Sequence, residues 1–172
     1  MDIRDILIDG IDQLNGWLDD NIKDLTPEQF NWQPGGKMVS AAFAAWHVVR
    51  TEDSVANFVL QRKTPIWLEG GYLEKFGLPK VEQGTGMSLA DAQAVRIDDI
   101  GLFREYNAAV SKGVTEFLKG VSLEWLDEVQ MVRPLGEMPK WKVFRQVLMT
   151  HGFMHLGEIN ALKGIQGMQF AI

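Results

Sequence analysis

Apolar residues recur along the first stretch of the chain at Leu7, Ile11, Leu14, Leu18, Ile22 and Leu25. Steps of three and four residues put them on one stripe, so residues 2–25 are expected as an amphipathic helix. Thr26-Pro27-Glu28-Gln29 then reads as a cap, a proline at the first helical position and a capping-box partner. A short helical turn should follow and end at Gln33-Pro34-Gly35-Gly36. Ser40 reads as the cap of a second helix over residues 40–61. Its face through His47 carries Phe43, Ala44, Thr51, Ser54 and Phe58. Pro65, Gly70-Gly71, Gly77, Pro79 and Gly84 break up residues 63–85. Trp67, Leu68, Tyr72, Leu73 and Phe76 make that stretch too apolar for a free linker, so it is expected to pack over one end of the fold. Ser88 caps a third helix over residues 89–118, striped by Val95, Leu102, Tyr106, Val110 and Phe117, and Gly120 stops it. Residues 122–139 read as a crossing connection with an extended piece at 128–133. A fourth helix spans residues 140–163 and ends at Gly164. Four amphipathic helices with some long connections predict an all-α four-helix bundle, one domain over residues 1–172.

Composition changes this picture mainly by exclusion. Apolar residues make up 46% and charged residues 23%, as in an ordinary globular protein. The net charge is −6, and no basic cluster exceeds Arg62-Lys63, so a nucleic-acid partner is not expected. There is no cysteine. That removes disulfides, thiolate ligands and a cysteine nucleophile, so any thiol chemistry needs a cosubstrate. The N-terminus lacks an apolar signal core and no run is long enough to cross a membrane, so a cytoplasmic location is expected.

The candidate chemistry lies in the three histidines. At 100° per residue, His151, His155 and Glu158 fall within the stripe formed by Phe144, Val147, Leu148 and Leu162. His151 and His155 stand one turn apart, about 6 Å along the axis, and can grip one ion from the same side. His47 lies on the inward face of the second helix beside Phe43 and Phe58. Burying three unpartnered imidazoles is costly, and a shared divalent cation gives each ring a partner. Three imidazoles plus water would leave an open coordination position, as catalytic sites have. Glu158 carries two readings. It is a fourth ligand, orients a histidine or the bound water, or acts as general base towards that water or a thiol; or it is a partly solvated carboxylate paired with Lys163 or Arg145. Glu52 and Asp53 point away from the His47 face and are expected as surface charges. Trp32 and Trp46 are candidates for lining a pocket. No H-E-x-x-H, paired E-x-x-H, phosphate-binding loop or nucleophile elbow occurs.

Three segments carry a family resemblance: Phe30-Asn31-Trp32-Gln33-Pro34, Ala45-Trp46-His47-Val48-Val49-Arg50-Thr51-Glu52, and His151-Gly152-Phe153-Met154-His155-Leu156-Gly157-Glu158-Ile159. With them the chain resembles the DinB-like (DinB/YfiT) superfamily over nearly its whole length. The resemblance implies an up-up-down-down bundle with nickel, zinc or iron at His47, His151 and His155, and a homodimer. It also implies a stress association and, in some branches, transfer or isomerisation with mycothiol, bacillithiol or glutathione. Many members carry Gln where this chain has Glu158. Three functions stand at this point: a metal-dependent thiol transferase acting on an electrophilic small molecule, a metal-dependent hydrolase, and a non-catalytic metal-binding protein.

Overall fold

The first stripe forms helix α1 (Ile3–Ile22) in the computed structural model, which describes residues 1–79 and 82–169. Asp2 caps it, with Asp5 completing a capping box, and its five stripe residues from Leu7 to Ile22 are buried. The helix stops three residues short of Leu25. Thr26 and Gln29 form the predicted capping box on α2 (Pro27–Phe30), and a single 3-10 turn follows at Pro34–Gly36.

Ser40 Oγ accepts from Phe43 N–H and starts α3 (Ala41–Asp53), which runs on as a π-helical segment, Ser54–Leu60. Every residue of α3 is buried. Glu52 and Asp53 are therefore not surface charges. A helix enclosed on all sides has no solvent face, so residues off the His47 side still point into protein. Asp53 accepts hydrogen bonds from the backbone N–H groups of Ile66 and Trp67 and from Asn57 Nδ2 and Tyr106 Oη, each at 2.8 Å. Arg50 lies 3.5 Å away as its counter-charge. The wider π turns also rotate Phe58 out of the His47 face, and it is exposed rather than inward.

Those Asp53 bonds anchor the apolar insertion, which forms α4 (Ile66–Glu69) and α5 (Tyr72–Phe76). Trp67 is fully buried, stacked on Phe76 at 5.8 Å and tilted against Tyr106 at 5.3 Å. Lys80 and Val81, within the insertion, lie outside the described residues.

The single third helix expected over residues 89–118 is two helices, α6 (Leu89–Ala94) and α7 (Ile100–Gly120). Between them the chain is extended because the side chain of Asn31 pairs with the backbone of Ile97 at 2.8 and 2.9 Å, and Asp99 caps α7. The crossing connection holds α8 (Leu123–Asp127) and an antiparallel hairpin, β1 (Val129–Val132) with β2 (Gly136–Pro139), paired Val129↔Pro139 through Val132↔Gly136. A last helical run comprises α9 (Lys140–Lys142), a π-helical segment Val143–Thr150, and α10 (His151–Ile165). It passes through Gly164, and Met168 N–H closes it on Lys163 O. α1 packs on α7, and α10 packs on α3. The protein is thus predominantly helical with one small sheet, and among the described residues no helix is long and apolar enough to cross a membrane.

Candidate metal centre

His47 sits two turns into α3, placed there by the Ser40 cap, with its ring stacked on Phe43 at 5.9 Å. His151 and His155 open α10, directly after the π segment. Gly152 lets α10 approach α1 closely, since a Cβ there would stand 2.3 Å from Leu14 Cδ2. The three imidazoles meet nearly edge to face, at centroid separations of 4.8, 4.8 and 4.5 Å. Nε2 of His151 lies 3.0 Å from Nε2 of His47 and 3.1 Å from Nε2 of His155. Two nitrogens each about 2.0–2.1 Å from a common ion stand about 3.0–3.4 Å apart. These three histidines could hold a metal ion.

The outer nitrogens decide what the inner ones offer. His47 Nδ1–H donates to the backbone carbonyl of Gln83, and His155 Nδ1–H donates to Glu158 Oε2 at 2.7 Å. In the neutral rings those partners place the proton on Nδ1 and leave each Nε2 as a bare lone pair aimed at His151. His151 can donate only one proton from its own Nε2, so the cluster cannot satisfy itself through hydrogen bonds. A cation can satisfy all three lone pairs at once. For His47 and His151 the electrostatics favour the neutral, ligating form as well. Burial, then the neighbouring His47 and His155, hold His151 down to about 4. Burial lowers His47. The hydrogen bond from His155 is the main reason that Glu158 stays below the usual carboxylate range.

A cavity of about 800 Å³ opens in front of the three rings. All three predicted histidines line it, whereas Glu158 does not. Glu158 is bonded to His155 behind the cluster, not to Lys163 or Arg145, and Lys163 donates to Asn21 at 2.9 Å. Neither Trp32 nor Trp46 lines the cavity, and Trp46 is wholly buried. Gln83 and Gly84 are the site residues that sequence reasoning missed. Gly84 has φ +103°, and a Cβ there would fall 2.5 Å from His47 Nδ1 and 3.1 Å from Phe43 Cζ. Only glycine lets this loop lie flat on the ring. The Gly84-Thr85-Gly86 run was the available signal.

The chain superposes on a conserved protein from Enterococcus faecalis with a TM-score of 0.84, over 97% of this chain and 99% of that one, at 20% identity. At that identity the likeness speaks for the fold alone. No curated protein matches the chain. The sequence pattern of the DinB superfamily matches residues 17–159, a span that takes in His47, Gln83, His151, His155 and Glu158. With its paired and single histidines meeting as that resemblance implied, the chain belongs to the DinB superfamily.

Proposed function

We propose that His47, His151 and His155 hold one divalent ion, nickel, zinc or iron, and that the protein transfers a low-molecular-weight thiol to an electrophilic small molecule. The convergence of three Nε2 atoms, two of them with fixed tautomers, carries the metal half of this reading. The thiol half rests on chemistry. A chain without cysteine has no thiolate of its own, so any thiol in its chemistry must arrive as a cosubstrate. When bound, the ion would lower the pKa of a thiol or water entering its open position. Gln83 and Glu158 keep the two outer imidazoles turned inward, which is how partners of ligating histidines set ring orientation. Glu158 thereby acts as a positioning residue, and general base towards the incoming thiol is the alternative role for its carboxylate. Its place behind the cluster favours the first role. The same reading makes the whole chain one domain with the up-up-down-down order of a four-helix bundle.

Elemental analysis of untagged protein reconstituted with zinc, nickel or iron should give about one equivalent, as a three-histidine site predicts. A variant with His47, His151 and His155 all changed to Ala should give none while keeping its helical circular dichroism. With a chromogenic electrophile, turnover is expected only when both metal and thiol are present, and it should vanish in His151→Ala. Full activity in His151→Ala overturns the reading. Turnover without thiol would reassign the chemistry to hydrolysis. A loaded protein that turns over no thiol at all would be a metal-binding protein without this activity.

A further inference from the structure

Apart from the histidines, Arg133 is the one formally charged side chain among the described residues that line the cavity in front of the metal centre. The chain has 23 Asp+Glu, yet none of them lines this cavity. Arg133, like Arg62 and Arg145, makes no side-chain hydrogen bond or ion pair among the described residues, whereas Arg4, Arg96 and Arg104 are each paired with an aspartate. It stands exposed where β1 runs into the hairpin turn, and the buried side chains of Val132 and Met138 pin that hairpin to the protein. Most of the wall is apolar. Phe43, Val55 and Val147 lie within it, and Leu89, Leu135 and Met154 form a rim at 49%, 52% and 67% exposure. A positive point beside an uncovered apolar surface matches a ligand with the complementary halves.

We propose that the cavity takes a small amphiphilic carboxylate. Its head is held by the Arg133 guanidinium, and its apolar body lies along these walls towards the histidines. The guanidinium fork matches a carboxylate in both geometry and charge, and covering the apolar rim adds affinity in proportion to the area removed from water. This names the substrate class of the proposed metal centre. It rests on that reading for the reaction but not for the binding.

Octanoate and octanol share a chain length and differ in the head group, so a calorimetric titration of both into zinc-loaded and metal-free protein isolates the charge. Octanoate is expected to bind about tenfold more tightly than octanol in both forms, the gain of one charge-assisted bond at an exposed site. Arg133→Ala should abolish that preference while leaving the octanol affinity and the metal content unchanged, and Arg133→Lys should restore part of it. Equal binding of the two probes by the wild type, or no octanoate binding, overturns the proposal. So does a preference that survives Arg133→Ala and disappears with the metal, because the head would then sit on the ion. If an Arg133-dependent preference persists in protein that takes up no metal, the metal reading falls and this one stands.

Discussion

Glu52 is five residues past His47 on α3, where it faces Asn15 of α1. Asn15 Nδ2 donates to Oε1 at 3.3 Å, while Glu52 Oε2 and Asn15 Oδ1 have no partner among the described residues. A proton on Glu52 supplies a donor to a pair that otherwise presents two acceptors without one. Burial therefore pushes Glu52 up to about 8, with the neighbouring Asp53 adding to the shift and the Asn15 bond opposing it. Asp53, next in the chain, meets four donors and Arg50, so adjacent carboxyls rest on opposite arrangements. Between the ordinary value of 4.5 and about 8, folded protein keeps a proton on Glu52 that the unfolded chain releases. By linkage, this contribution to stability is present in acid, declines as pH rises through that window, and is gone above it. Glu52→Gln keeps the shape and removes the titration. The melting temperatures of variant and wild type should be close near about pH 5, and the wild type should fall behind towards about pH 9. A difference independent of pH would mean that Glu52 is already ionised in the fold.

At the scale of elements, the site joins two helices to one loop, and these were legible to different degrees. His47, His151 and His155 could be read because each sits in an apolar stripe of period 3.6, and such a stripe predicts direction. The break between α6 and α7 could not, since Val95 and Leu102 fit a continuous helix and the competing bond comes from Asn31, distant in sequence. The π segments were equally hidden, for the same apolar residues serve either winding. Gln83 was invisible because it acts through its backbone carbonyl. The loop nonetheless has a testable share in the site. Gly84→Ala drives a methyl group against His47 Nδ1, whereas Gly86→Ala, also at positive φ (+78°), meets nothing within 4 Å. Both substitutions carry backbone strain, so their difference isolates the contact. Competition titration should show metal affinity reduced about 10–100-fold in Gly84→Ala, the usual loss when a ligand's outer partner is disturbed, and nearly unchanged in Gly86→Ala. Equal losses would assign the effect to loop strain alone.

For the whole molecule, the question is whether a metal at this site is a condition of folding or an addition to it. Small metal-dependent domains unfold without their ion because they bury too little else. This chain buries Trp46, Trp67, Tyr106, Phe30, Phe103 and Phe144 completely, and its core runs through α1, α3, α7 and α10 without passing through the histidines. A 172-residue chain with such a core lies well above the size at which a metal staple is needed. The ion would instead tie α3 to α10 at one edge of a fold that already stands. Linkage then sets the effect: a ligand at about 100 times its Kd adds about 2.7 kcal/mol. At about 2–4 °C per kcal/mol for a chain of this size, that is about 5–10 °C in melting temperature. Chelated wild type should therefore remain helical and cooperative, melt about 5–10 °C lower, and recover when the ion is returned. The variant lacking all three histidines should melt alike with and without metal. Collapse of the chelated protein to a non-cooperative state would make the ion part of the core. An unchanged melting temperature in protein that carries the ion would mean that metal binding does not couple α3 to α10.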